Sequence, residues 1–375
     1  MPGFELIGKE EQKAVNKIFD DGGVLFAHGF DAMRNNFHVR EFESMTAKKI
    51  DCKYALAVSS GTAAIKIALK ALGVKPGDEV ITQAFNFIAT VEAILDCGAI
   101  PIIANVDETL NMSPDDCKSL ITKKTKVILP VHMLGVPSKM DEIMAIAKEN
   151  NLHVMEDNCE AVGAKYNGKF LGTIGDVGAF SYDFGKVITT GEGGMVVTNE
   201  IEYDKFSREY HDHGHENNPE LPRGKDTRTN YGFNYRMTEM QAAVGKVQTN
   251  RLSFIIEQNK LRYKAFEENL PSQISKRSIP EGSEPIYDTF IFFVESLEDK
   301  KKYIRILNDK KFGTKNLPDA MEWHCSAFWD HALDEKQIKN SQLTKTILEK
   351  AIAVPIWLRK TPSDYFHLAQ LLFSD

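Results

Sequence analysis

From Tyr54 to Asn199 the chain alternates short apolar runs with longer stretches whose apolar residues recur at helical spacing. Ala55-Leu56-Ala57-Val58 reads as a strand, and Thr62 to Lys70 as a helix closed by Gly73. Glu79 to Thr82 (strand), Ile88 to Cys97 (helix) and Ile100 to Ile103 (strand) continue the pattern. Lys126 to Leu129 (strand), Met140 to Glu149 (helix) and His153 to Met155 (strand) extend it. Strands joined through helices run parallel, and their crossovers cover both faces of the sheet. Val177 to Tyr182 and Gly194 to Thr198 predict two more strands with only a turn region between them. That connection is too short for a helical crossover, so an antiparallel element is expected there.

The texture changes after about Arg251. A long polar helix is predicted from Leu252 to Leu270, a strand from Asp288 to Val294 and a helix from Lys300 to Asn308. This pattern predicts a large α/β domain over residues 1–250 and a smaller α+β domain over 251–375, with segment 1–35 packing near the smaller one. A length of 375 residues agrees with more than one core. No Pro/Gly/Ser-rich linker, internal repeat or low-complexity segment marks a boundary.

Composition narrows the function classes. The formal net charge of -7 disfavours a nucleic-acid binder that relies on a basic surface. No apolar stretch is long enough to span a bilayer. Met1 to Gly8 run directly into Lys9-Glu10-Glu11, unlike a secretory leader. Five cysteines without close pairing suit reduced thiols, so a cytoplasmic location is expected.

Three segments carry candidate chemistry. Ser59-Ser60-Gly61-Thr62 lies where the first strand turns into the first helix. A helix N-terminus presents free N–H groups and positive partial charge, which suits a phosphate dianion. Gly61 would allow close backbone approach, and Ser60 and Thr62 would add hydroxyls; a plain helix cap with a glycine turn is the alternative. Neither a Gly-x-Gly-x-x-Gly fingerprint nor a P-loop occurs here. Asp157 follows a buried-looking strand and falls at a carboxyl end of the sheet, where open α/β folds bind ligands. A carboxylate there can keep a heterocyclic nitrogen protonated, or simply cap a helix. Lys186 follows the strand-end string Ser181-Tyr182-Asp183-Phe184-Gly185 and is flanked by Phe184, Val187 and Ile188. Desolvation in such surroundings is expected to disfavour its ammonium form, as a Schiff-base lysine needs. A lone loop lysine would instead be solvated.

These strings, in order, resemble a known family. Ser59 to Ala64, Pro76 to Ile81, Phe85 to Thr90, Pro130 to Gly135, Glu156 to Ala161, Phe180 to Lys186, Gly191 to Gly194 and Asn234 to Met237 are similar to the DegT/DnrJ/EryC1/StrS sugar aminotransferases. The resemblance covers about Val39 to Arg251, with weaker matches near Pro355. It implies the fold type I, aspartate-aminotransferase-like architecture: a mostly parallel seven-stranded sheet, a small α+β C-terminal domain and a homodimer. It implies pyridoxal 5'-phosphate as cofactor, joined to Lys186 as a Schiff base. Ser60, Gly61, Thr62 and Ser181 would then hold the phosphate, Phe87 would stack on the pyridine ring and Asp157 would pair with the ring nitrogen. Asn234 would reach the phosphate across the dimer interface. Glu160 stands where many members have Gln near the cofactor's phenolic oxygen. An ionised Glu cannot donate a hydrogen bond, so it is either protonated there or differently employed.

Lysine at 186 favours transamination over the dehydration catalysed by a branch that carries His instead. L-glutamate is the implied amino donor and a keto sugar the acceptor. The strings Pro2 to Gly8 and Gly22 to Phe26, with the region around Trp323, resemble the branch that aminates 8-dehydro-3-deoxy-manno-octulosonate, a lipopolysaccharide sugar acid. A nucleotide-linked 3- or 4-keto-hexose is the alternative. Arg223 and Arg228 could face an anionic acceptor or lie in a solvated loop. Trp323, His324 and Trp329 could line the acceptor pocket or pack the small domain. His211, His213 and His215 suggest a metal site only weakly, because no distant ligand accompanies them, and no metal is expected. A non-catalytic regulator is disfavoured by the presence of Lys186 and the lack of a helix-turn-helix segment.

Overall fold

The computed structural model describes residues 2–218 and 220–373. Its centre is a seven-stranded sheet. The first five strands are β1 (Tyr54–Val58), β2 (Glu79–Gln83), β3 (Ile100–Ala104), β4 (Thr125–Ile128) and β5 (His153–Asp157). A two-residue hairpin, β6 (Lys165–Tyr166) and β7 (Lys169–Phe170), precedes β8 (Val177–Ser181) and β9 (Gly194–Thr198). The order across the sheet is β1-β9-β8-β5-β4-β2-β3, and β9 alone runs against its neighbours. The antiparallel element expected from the short connection is therefore present, in the register Val177↔Thr198 to Ser181↔Gly194.

Both faces of the sheet are covered, which explains why its strands read as continuous apolar runs. Leu56 and Val58 join one core, while Ala55 and Ala57 join the other. The helix Gly61–Ala71 packs on β8 and β9. Because β1, β5 and β8 run parallel, their carboxyl ends lie along one edge, and the chain leaves them at Ser59, Asn158 and Tyr182. The three segments singled out in the sequence thus meet at a single place, although about 120 residues separate the first from the last.

The smaller layer is built on β11 (Thr289–Phe293) and β12 (Ala351–Pro355), paired antiparallel; β10 (Ser283–Glu284) pairs instead with β6. Phe266, Phe290, Phe292 and Tyr365 form its core. The long helix begins earlier than its polar pattern predicts, at Glu239 rather than Leu252, and ends at Glu267. Thr238 and Gln241 form a capping box at its start. Its first half has no apolar stripe because small and polar residues make the contacts. Gly245 lies against the buried Phe42 ring, where a Cβ would come within 2.7 Å. Buried Gln248 donates to Glu11 at 2.9 Å.

The helices Lys9–Asp20, His38–Lys49 and Ile201–His211 are not among the elements that the apolar pattern predicts. Half of the residues of the first are charged, and Ile18 is its only buried apolar side chain. It is held by polar contacts instead: Glu11 is buried and accepts from Arg251 at 2.7 Å. At the chain start, Glu5 accepts from the backbone N–H groups of Leu358 and Arg359 at 2.9 and 3.1 Å. Phe4 stacks on Phe184, two residues before Lys186, with centroids 4.9 Å apart. The opening segment therefore touches both the smaller layer and the Lys186 loop.

Candidate active site

At the end of β1, Ser60 caps the helix Gly61–Ala71, and its Oγ accepts from the Ala63 N–H at 3.1 Å. The N–H groups of Gly61 and Thr62 meet no acceptor among the described residues. Gly61 is required for packing: a Cβ there would lie 2.7 Å from Ser181 Cβ. This close approach joins the first turn of the helix to the end of β8, so Ser181 stands beside the free N–H groups.

At the end of β5 two adjacent acids point in opposite directions, as strand geometry dictates. Glu156 turns away from the cleft and accepts from the N–H groups of Gly172, Ile174 and Gly175 at 2.7 to 2.8 Å. Asp157 lines the cleft and is only 3 % exposed. Its Oδ2 accepts from Thr90 Oγ1 at 2.8 Å and its Oδ1 from the Cys159 N–H at 3.1 Å. Two donors therefore fix the orientation of the carboxylate.

Beyond β8, the Lys186 side chain enters the same cleft and lies 3.6 Å from Glu160 Oε1. Glu160 Oε2 accepts from the Leu134 N–H at 3.0 Å. The left-handed turn at Leu134 (φ 51°) is clamped from the smaller layer by Arg277, which donates to the Met133 carbonyl at 2.8 Å and the Thr109 carbonyl at 2.5 Å. The apolar neighbourhood anticipated for Lys186 is not what surrounds it. Burial disfavours its ammonium, but the nearby Glu160, Cys159, Asp183 and Asp157 outweigh that effect and raise its pKa. Phe184 points outward, 58 % exposed. Burial likewise opposes the charge on Glu160, yet Lys186, Lys315 and His324 hold its pKa at about 2. Glu160 is therefore ionised, the partner of the lysine amine. Glu160→Gln is expected to move the pH midpoint for chemical modification of Lys186 in the cofactor-free protein downward, because the ammonium loses an anion. An unchanged midpoint would mean that the pair carries no weight.

Phe87 stands at the mouth, 44 % exposed, with its ring centroid 5.3 Å from that of His324. His324 is buried and lines the adjoining part of the cleft, and burial lowers its pKa. Trp323 and Trp329 do not line the cleft. Trp323 is exposed, and Trp329 is buried in a separate core with its indole N–H bonded to the Glu322 carbonyl at 2.9 Å. Arg223 is not available as an anion receptor near Lys186: it is bidentate to Asp212 at 2.6 and 2.7 Å, outside the cleft. Arg228 lies exposed on an open groove beside Asp226. Asn234 is exposed and lies outside the cleft of its own chain.

The three histidines do not form an extended ladder. His211 ends a helix and is buried, His213 adopts φ 55°, and His215 pairs with Asp226 at 3.1 Å. Among the described residues no group of three or more His, Cys, Asp or Glu side chains is placed to hold a metal ion, and no helix is long and apolar enough to cross a membrane.

Thr90, Asp288, Lys315 and Asn316 also line the cleft, and no local pattern in the sequence marks them as site residues. Thr90 lies in the string Phe85 to Thr90, but nothing local ties it to Asp157. The other three belong to the smaller layer and reach the cleft only through folding.

Free helix N–H groups beside a serine hydroxyl, a buried carboxylate and a lysine amine, all lining one cleft, are the donor set that pyridoxal phosphate requires. The comparisons with known proteins agree. The DegT/DnrJ/EryC1/StrS aminotransferase family profile matches residues 7–372. GDP-perosamine synthase of Escherichia coli O157:H7 is 35% identical over 319 residues, 83% of this chain and 82% of that one. An aminotransferase from Psychrobacter cryohalolentis superposes with a TM-score of 0.86 at 28% identity, covering 98% of this chain and 97% of that one. The structure of 3-amino-5-hydroxybenzoic acid synthase does so with a TM-score of 0.86 at 26% identity, covering 99% and 97%. The chain belongs to the DegT/DnrJ/EryC1/StrS aminotransferase family and is a pyridoxal-phosphate-dependent sugar aminotransferase.

Proposed function

We propose that this enzyme moves an amino group from L-glutamate to 8-dehydro-3-deoxy-manno-octulosonate, giving the 8-amino sugar acid for lipopolysaccharide. The observation that carries the transfer chemistry is the convergence of Lys186, Glu160 and Asp157 on one cleft beside free helix N–H groups. When bound, pyridoxal phosphate supplies a ring that takes up the electron pair left when a substrate C–H bond breaks. Ser60, Gly61, Thr62 and Ser181 would hold its phosphate, Phe87 would pack on its ring and Asp157 would pair with the ring nitrogen. Asn234 of a second copy completes the phosphate contacts, so the working unit is a homodimer. Lys186 would hold the cofactor through its aldehyde group, and its Nζ would carry the proton in both half-reactions. Glu160 stabilises the charged form of that amine.

The octulosonate assignment rests on the Pro2 to Gly8 and Gly22 to Phe26 strings and on the block around Trp323. A second reading, a nucleotide-linked keto-hexose, is favoured by the similarity to GDP-perosamine synthase over most of both chains. The purified holoenzyme, incubated with glutamate and each keto sugar in turn, is expected to convert the octulosonate and to leave the nucleotide sugar unchanged. Turnover of the nucleotide sugar alone would replace the first reading with the second.

A further inference from the structure

The cleft does not end at Lys186. It continues toward the smaller layer into a chamber lined by Asp288, Lys315, Asn316 and His324, with Phe87 and Glu160 shared between the two parts. The Lys315 side chain is 8 % exposed and its Nζ donates to Asp288 Oδ2 at 2.6 Å. Asp288 in turn accepts from Thr289 at 2.9 Å. Among the described residues no further acceptor meets the Lys315 amine, so two of its three N–H donors remain unused. The backbone that presents it is held on both sides: the Lys315 N–H donates to the Ala353 carbonyl and the Ala353 N–H to the Leu317 carbonyl, at 3.0 and 3.1 Å. Next to it, Asn316 sits in the left-handed region at φ 65°, and its amide nitrogen is buried without a partner. A buried donor left without a partner beside the cleft is a place where a ligand can supply the missing acceptor.

Charge decides which ligand group belongs there. Of the described residues that line the cleft, only Lys186 and Lys315 carry a side chain that is cationic at neutral pH. Burial lowers the pKa of His324, against the opposing pull of Glu160 and of the Ala320 carbonyl bonded to its Nδ1 at 2.8 Å. Lys186 is occupied with the cofactor and the proton. Lys315 lines the same chamber as Lys186 and Glu160, and Glu160 is 3.6 Å from Lys186. An amino-acid donor carries its α-carboxylate on the very carbon whose C–H bond breaks, so that carboxylate must come to rest within a few ångströms of Lys186. The carboxylate of an eight-carbon sugar acid that reacts at its far end has no such requirement.

We infer that Lys315, oriented by Asp288 and aided by the Asn316 amide, is the receptor for the α-carboxylate of the amino-acid donor. This rests on the reading of L-glutamate as the donor. The ammonium donates to the carboxylate through its two free N–H groups, a charge-assisted contact. When the keto acid leaves, the same site becomes available to the polar groups of the acceptor.

The test pairs a change in the protein with a change in the ligand. Single-turnover loss of the holoenzyme's pyridoxal absorbance is measured with L-glutamate and with L-isoglutamine, in which a neutral amide replaces the α-carboxylate. Wild-type enzyme is expected to prefer glutamate by at least about tenfold, a typical scale for one charge-assisted contact. In Lys315→Met the preference is expected to collapse to within about threefold, glutamate having lost most of its advantage. The variant Lys315→Met/Asp288→Asn, which leaves no unpaired buried carboxylate, is expected to behave in the same way and excludes misfolding as the cause. Lys315→Arg is expected to restore most of the preference. If Lys315→Met slows both donors equally and keeps the ratio, the lysine is structural and the inference falls, while glutamate stands as the donor. If wild-type enzyme takes nitrogen from neither compound but does take it from the amino-sugar product, the glutamate reading itself falls, and this inference with it.

Discussion

Lys186→Ala is expected to lower turnover by more than about a thousandfold, because general acid–base transfer alone contributes roughly a hundred- to ten-thousandfold. In the proposed role the same side chain also anchors the cofactor, so the loss would have two sources. They separate experimentally. The variant should still bind pyridoxal phosphate, since the N–H cradle at Gly61 and Thr62 and the Asp157 carboxylate remain. Its bound cofactor should show the absorbance of the free aldehyde. A small primary amine added to the assay should restore part of the activity by replacing the missing base. Glu160 is left without its partner in this variant, but it keeps the Leu134 N–H at 3.0 Å, so the fold should survive and circular dichroism should not change. Turnover within tenfold of wild type would remove the lysine from the mechanism.

Asp157→Asn is expected to cost at least about a hundredfold in kcat, with a smaller change in the affinity for either substrate. Asparagine has nearly the same shape and can keep the contact with Thr90. What it lacks is the negative charge that holds a proton on the facing ring nitrogen, and that proton is what makes the ring an effective acceptor of electrons. The site is buried, so water does not weaken the interaction. Asp157→Glu keeps the charge but displaces it by one methylene, and an intermediate loss is expected. Thr90→Val removes the 2.8 Å hydrogen bond to Oδ2 without removing the charge, and should cost less than Asp157→Asn. Equal losses in the two would mean that orientation, not charge, is the contribution of Asp157. Full activity in Asp157→Asn would exclude the residue altogether.

The parts of this protein that were legible in its sequence are those whose signals are local. Short continuous apolar runs ending before Ser59, Asn158 and Tyr182 mark strands, and the crossovers between them imply a parallel sheet. Parallel strands share an edge, so Ser60 to Thr62, Asp157 and Lys186 were bound to meet once the strand pattern was right. The helix Lys9–Asp20 and the first half of the long helix from Glu239 escaped notice for the opposite reason. Their buried contacts are made by Glu11, Gln248 and Gly245, residue types that an apolar-periodicity argument counts as solvent-facing.

By itself, then, the sequence determined the sheet, its carboxyl edge and the three side chains that converge there, since strand ends and helix caps are encoded within a few residues. Only the tertiary structure decided the electrostatics and the far wall of the cleft. The Lys186 amine is kept charged by carboxylates close in space, where its sequence neighbours suggested desolvation. Lys315 and His324 reach it because the smaller layer folds back over the sheet edge. Trp323, Arg223 and Arg228 were suggested by residue type, yet two of them are exposed and the third is tied to Asp212. A side chain's type is written in the chain, but its charge state and its neighbours come from through-space fields and packing, which depend on the distances that folding creates.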